Sequence, residues 1–145
     1  MILVSACLVG ENCRYNGTGL MYEELKKMVD TGMAIKVCPE LQGGLKVPRK
    51  PCELKNINGA QRVIDDEGND YTKAFVQGAF CVLEICKLHN IKIAVLKSRS
   101  PSCGFGEIYN GEFNGTIIKG NGITAECLTT HGIEVYTELN FNEIR

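Results

Sequence analysis

Residues 71–89 carry Phe75, Val76, Ala79, Val82, Leu83 and Cys86 at helical spacing, and the chain then passes into an unbroken apolar stretch at 91–96. A helix with so broad an apolar face is suited to lie on a sheet. The strand behind it does not alternate, as a strand with one wet face would, so it belongs in a parallel sheet covered on both sides. Asp70 stands where its carboxylate can cap the start of the helix.

The rest of the chain repeats this unit. Residues 2–6, 34–37 and 133–136 read as short strands. Helices are expected over about 20–29, with Leu20, Leu25 and Met28 on the apolar side, and over about 123–130. They stop near Gly32 and Gly132, and a glycine suits a left-handed cap. Asn58-Gly59 and Asn110-Gly111 predict hairpins, while 38–52 and 97–106 read as loops. Strands alternating with helices predict an α/β fold: a single domain over 1–145, built as a three-layer sandwich around a mostly parallel, Rossmann-like sheet.

A chain of 145 residues can bury a core without disulfide staples. Its net charge is -1 and its Lys and Arg are scattered, which argues against nucleic acid as a partner, since phosphate contacts need a basic patch. Ser5 and Glu11 soon interrupt the apolar start, so neither an export signal nor a membrane span is expected, and the location expected is cytoplasmic. A small-molecule partner and a monomer or small homo-oligomer are expected. Eight cysteines in such a chain do not read as a disulfide framework, which needs an oxidising compartment.

Ligands of open α/β sheets bind beyond the carboxyl ends of the strands. Cys7, Cys38 and Cys103 each fall in a loop leaving a predicted strand, so they could converge there. Cys81, Cys86 and Cys127 lie inside predicted helices and read as small core hydrophobes. Cys52 has no assigned role. Cys13, in a C-x5-C spacing with Cys7, stands evenly between a further ligand and a buried thiol. Structural zinc favours four ligands in paired C-x2-C knuckles, which are missing, and His89 and His131 are poorly placed. Thiolates without histidine favour zinc or an iron–sulfur cluster, and a cubane held by three would keep one iron open. Gly104-Phe105-Gly106 lacks the third glycine of a dinucleotide loop; these glycines read as letting backbone approach a cluster.

The sequence resembles the TudS-type thiouracil desulfidase family. The resemblance lies in Ser5-Ala6-Cys7-Leu8-Val9-Gly10, Cys13-Arg14-Tyr15-Asn16-Gly17, Val37-Cys38-Pro39-Glu40, Gly43-Gly44-Leu45, Pro48-Arg49-Lys50-Pro51 and Ser98-Arg99-Ser100-Pro101-Ser102-Cys103-Gly104, and continues through Gly106-Glu107-Ile108-Tyr109 and Gly115-Thr116. It implies a [4Fe-4S] cluster on Cys7, Cys38 and Cys103 with one open iron, and makes Cys13 a non-ligand. It also implies non-redox removal of sulfur from a thiolated pyrimidine such as 2-thiouracil, the open iron taking the sulfur while water attacks the carbon. Glu40 would be the general base, Ser100 a catalytic hydroxyl and Ser102 a substrate-binding one. The plainer reading of Glu40 is a loop carboxylate paired with Arg49 or Arg14. Two other functions remain open: a structural or redox-sensing metal-binding module holding an Fe-S cluster or zinc, and a plain thiol protein.

Overall fold

In the computed structural model, which describes residues 1–144, the chain runs β1 (Ile2–Ser5), α1 (Glu23–Asp30), β2 (Ala34–Val37), α2 (Pro39–Gln42), β3 (Cys52–Ile57), β4 (Ala60–Asp65), α3 (Thr72–Leu88), β5 (Ile93–Leu96), β6 (Glu107–Tyr109), β7 (Ile117–Lys119), α4 (Ile123–Thr130) and β8 (Glu134–Thr137). Short 3-10 turns lie at Ala6–Leu8 and Phe141–Glu143.

Four strands form one sheet in the order β2-β1-β5-β8, and every pairing in it is parallel. Successive side chains of a strand point to opposite faces, and β1 and β5 divide accordingly. Leu3, Ala94 and Leu96 pack with Val82, Leu83 and Cys86 of α3 and with Ala125 and Leu128 of α4. Ile2, Val4 and Val95 pack on the other side with Leu25 of α1. The α/β sandwich expected from the apolar runs is therefore present, in three layers. Among the described residues, no helix is long and apolar enough to cross a membrane.

Local signals held where they were strong. Asp70 Oδ1 accepts the Thr72 N–H at 2.8 Å, from one residue before Tyr71, which holds the N-cap position of α3. Asn58 and Gly59 both take positive φ, 52° and 83°, and close β3 onto β4 with Ile57 opposite Ala60. A two-residue turn that follows strand twist requires this left-handed pair. The second hairpin, β6 with β7, is joined by the longer segment 110–116 rather than by a tight turn at Asn110-Gly111.

Two expectations are corrected. Within the expected loop 38–52 lies α2, a single helical turn opened by Pro39, whose missing N–H costs nothing there. It packs backbone to backbone on α3: a Cβ on Gly43 would lie 2.0 Å from the Ala74 carbonyl oxygen, and one on Gly78 would lie 2.0 Å from that of Pro39. The helical cysteines are also not all core. Cys86 is buried, Cys127 is half-buried and Cys81 is exposed. The apolar residues of α3 extend further round the helix than the sheet covers, and Phe80 is exposed beside Cys81.

Candidate active site at the carboxyl ends of the strands

After β1 the chain turns to β2 on one side, and later returns to β5 on the other side of β1. Loops leaving β1 and β5 therefore diverge, and a crevice opens beyond their carboxyl ends. A cavity of about 480 Å³ lies there, lined by Cys7, Cys38, Cys103, Glu40 and Ser100, and also by Cys13 and Cys52. Cys7 sits in the 3-10 turn after β1, and Cys38 directly follows β2 at the start of α2. Cys103 lies in the turn after β5. The three loop-end cysteines thus share one cavity.

The backbone around Cys103 is tightly fixed. Ser5, the last residue of β1, accepts the Lys97 N–H at 3.0 Å and donates its hydroxyl to Cys103 Sγ at 3.4 Å. Ser100 Oγ accepts the N–H of Ser102 at 3.1 Å and of Cys103 at 3.0 Å, closing the turn. Both bonds use its oxygen, so its own proton stays available. A Cβ on Gly104 would lie 2.6 Å from the Ser100 carbonyl oxygen, so this glycine admits the turn's own backbone. The sequence reading had assigned that close approach to a cluster.

Ser102 is placed elsewhere. It is 1% exposed and is not among the residues lining the cavity. Its hydroxyl pairs with Thr124 Oγ1 at 2.8 Å, and its carbonyl accepts the Thr124 and Ala125 N–H groups at the start of α4. It ties the turn that carries Cys103 to the start of α4, and its hydroxyl also bonds the Cys103 thiol.

Glu40 lines the cavity and pairs with Arg49. Arg49 Nε and Nη2 both donate to Glu40 Oε2, the first at 2.8 Å. Oε1 has no hydrogen-bond partner within the protein, yet no buried side-chain oxygen among the described residues is left unpaired, so Oε1 is reachable from the cavity. Arg49 also donates to the Cys13 carbonyl at 3.1 Å and the Lys46 carbonyl at 3.0 Å, tying α2 to the loop after β1. Burial pushes the Glu40 carboxyl above its ordinary range, and the Arg49 guanidinium opposes that rise.

The Cys13, Cys38 and Cys103 thiols are likewise displaced upward. Cys38 is raised by its hydrogen bond with Cys13 and then by burial. For Cys13 the bond to Cys38 works downward, but the bond to Cys7 and burial outweigh it and lift it to about 11. Burial takes Cys103 to about 12 against the Ser5 hydrogen bond. Thiols in this state hold their protons until a cation displaces them, as metal binding does. Among the described residues no three His, Cys, Asp or Glu side chains close on a point that would hold a single metal ion.

One part of the site was missed by sequence reasoning. Glu138, just past β8, accepts the Ser98 N–H and hydroxyl, both at 2.7 Å, and pairs with Lys97 Nζ at 3.1 Å. Burial works to raise its carboxyl, but the Ser98 bonds and Lys97 outweigh that and hold it below the ordinary value. It clamps the loop that carries Ser100 and Cys103. The rule that flagged the cysteines, position just beyond a strand, applies to Glu138 as well.

An α/β sandwich carries at its switch point a cavity rimmed by thiols with a carboxylate among them, a donor set whose softness suits a thiolate-bound metal centre. Residues 2–140 match the 2-thiouracil desulfurase family. A Bacillus subtilis (strain 168) protein, the uncharacterized protein YbbK, is 42% identical over 150 aligned residues, covering 99% of each chain. Among solved structures, the [4Fe-4S]-dependent thiouracil desulfidase TudS superposes with a TM-score of 0.90 at 40% identity, over 98% of this chain and 93% of that one. The chain belongs to the 2-thiouracil desulfurase family.

Proposed function

We propose that the protein is a [4Fe-4S]-dependent desulfidase acting on a thiolated pyrimidine such as 2-thiouracil, with the cluster on Cys7, Cys38 and Cys103 and one iron left open. The observation that carries this reading is the meeting of those three thiols, Glu40 and Ser100 on one cavity. The all-sulfur donor set fits an iron–sulfur cluster, and the solved TudS relative is described as [4Fe-4S]-dependent. When bound, the cluster supplies a Lewis-acidic iron with affinity for the sulfur of the substrate.

The chain's own residues do the rest. Ser5 steadies the Cys103 sulfur by its hydroxyl, and Glu138 holds the loop that carries it. Arg49 fixes Glu40 through Oε2, which leaves Oε1 to take a proton from an attacking water. A carboxyl raised by burial is a better base than an exposed one, and Glu40 shares the cavity with the thiols. Ser100, its oxygen engaged by two amides, turns its proton toward the substrate. The net change replaces C=S by C=O, with water as the oxygen source and hydrosulfide as the second product, so no electron acceptor is needed. Anaerobically reconstituted protein incubated with 2-thiouracil should release uracil and sulfide in equal amounts. Protein loaded with iron and sulfide that leaves 2-thiouracil unchanged would overturn the reading.

A further inference from the structure

The cavity is also lined by β3, through Cys52 and Glu53, by Tyr109 at the end of β6, and by Phe113 of the segment 110–116. That segment is held in one shape. Glu53 Oε1 accepts the N–H of Gly111 at 2.9 Å and of Phe113 at 3.1 Å. Asn110 Oδ1 accepts the Glu112 N–H at 2.9 Å, and Asn114 Oδ1 accepts the Thr116 N–H at 3.0 Å. A Cβ on Gly111 would lie 2.7 Å from the Leu54 carbonyl oxygen, so the segment sits flush on β3.

Phe113 has φ 56°. A residue with a bulky side chain takes that left-handed conformation only where its surroundings impose it. Packing in the core does not explain the ring: among the described residues Phe113 belongs to none of the three hydrophobic clusters, while Phe75 does. A half-buried phenylalanine that lines a cavity, its backbone held by a carboxylate clamp, is suited to stack on a flat ring.

We propose that Phe113, set in place by Glu53, is the stacking wall for the substrate ring and selects flat heterocycles over puckered ones. Phe113 binds; Glu53 is a positioning residue that acts through it. The inference rests on the desulfidase reading for the substrate class, but the wall itself stands on the geometry above. A base stacked on an aromatic side chain gains enough that its loss raises KM about tenfold or more.

The test compares 2-thiouracil with 5,6-dihydro-2-thiouracil, which keeps the C=S group but has no flat ring, and uses uracil as a sulfur-free binding probe followed by NMR. Phe113→Leu should raise KM for 2-thiouracil about tenfold, with kcat within about twofold, and should weaken uracil binding equally. Its KM for the dihydro compound should hardly move, and Phe113→Tyr should restore the wild-type values for all three. Glu53→Ala should also raise KM for 2-thiouracil, but should add nothing in the Phe113→Leu background, as expected for a residue acting through another. Equal KM and uracil affinity in wild type and Phe113→Leu would overturn the wall while leaving the desulfidase reading intact. Uracil binding lost in Phe113→Leu, with no desulfuration by cluster-loaded wild type, would support the wall and overturn the reading.

Discussion

Cys103 and Cys86 are almost equally buried, at 5% and 1% exposed, and touch the same apolar cluster, but Cys103 sits at its edge on the cavity and Cys86 inside α3. Cys103 belongs to the rim of loops beyond the strands, where it shares a cavity with Cys7, Cys38 and Glu40. Cys86 belongs to the helical layer, packed among Val82, Leu83 and Ile91. In that layer burial, and then the neighbouring Cys127, lifts the Cys86 thiol to about 11. At the rim, thiols hydrogen-bond one another: Cys38 is raised first by Cys13 and only then by burial. Burial therefore does not separate a working cysteine from a filler. Position relative to the strand ends, and contact with the cavity, is what sets Cys103 apart.

Substitutions on either side sharpen the contrast. The largest effect is expected at the rim, where Glu40→Gln should lower desulfuration about 10²- to 10⁴-fold while iron content, measured after anaerobic reconstitution, stays at the wild-type level. Full activity in that variant would remove Glu40 from the chemistry. Gly78→Ala tests whether the two regions are independent. The added methyl would press on the Pro39 carbonyl, so α2 must shift, carrying Glu40 and the neighbouring Cys38. Denaturant unfolding should show a loss of about 1–3 kcal/mol, with reduced iron occupancy. Wild-type iron content at reduced stability would show that the rim tolerates the shift.

In the helical layer the effects shrink. Cys86→Ala should lower stability by about 1 kcal/mol and leave the iron content and turnover unchanged, since only packing is lost. Cys81→Ser, on the exposed side of α3, should stay within about 0.5 kcal/mol of wild type by thermal unfolding. A loss of cluster in either variant would erase the distinction between rim and layer.

Much of this contrast is written in the sequence. The helices α3 and α4 and the strands β2 and β5 could be read because periodicity is local and long enough to count. The rim cysteines could be read because each follows a strand. A single turn such as α2 has no period, so it passed for loop. A motif gives residue order but not direction: Ser100 lines the cavity, while Ser102, two positions on, bonds Thr124 of α4. Cys81 was misassigned because apolar residues encircle more of α3 than the sheet covers. Glu138 reaches Ser98 only because β8 lies next to β5 in the sheet, a neighbourhood that strand order alone does not disclose. The choice between Arg49 and Arg14 as partner of Glu40 was likewise decided in space.

The most direct measurement is the iron and acid-labile sulfide bound per chain after anaerobic reconstitution of the wild type and of Cys7→Ala, Cys38→Ala, Cys103→Ala and Cys13→Ala. Three-thiolate ligation predicts about four irons in the wild type and in Cys13→Ala, and loss of the cluster in each of the other three. A cluster that survives removal of Cys7, Cys38 or Cys103, or that disappears with Cys13, would contradict it.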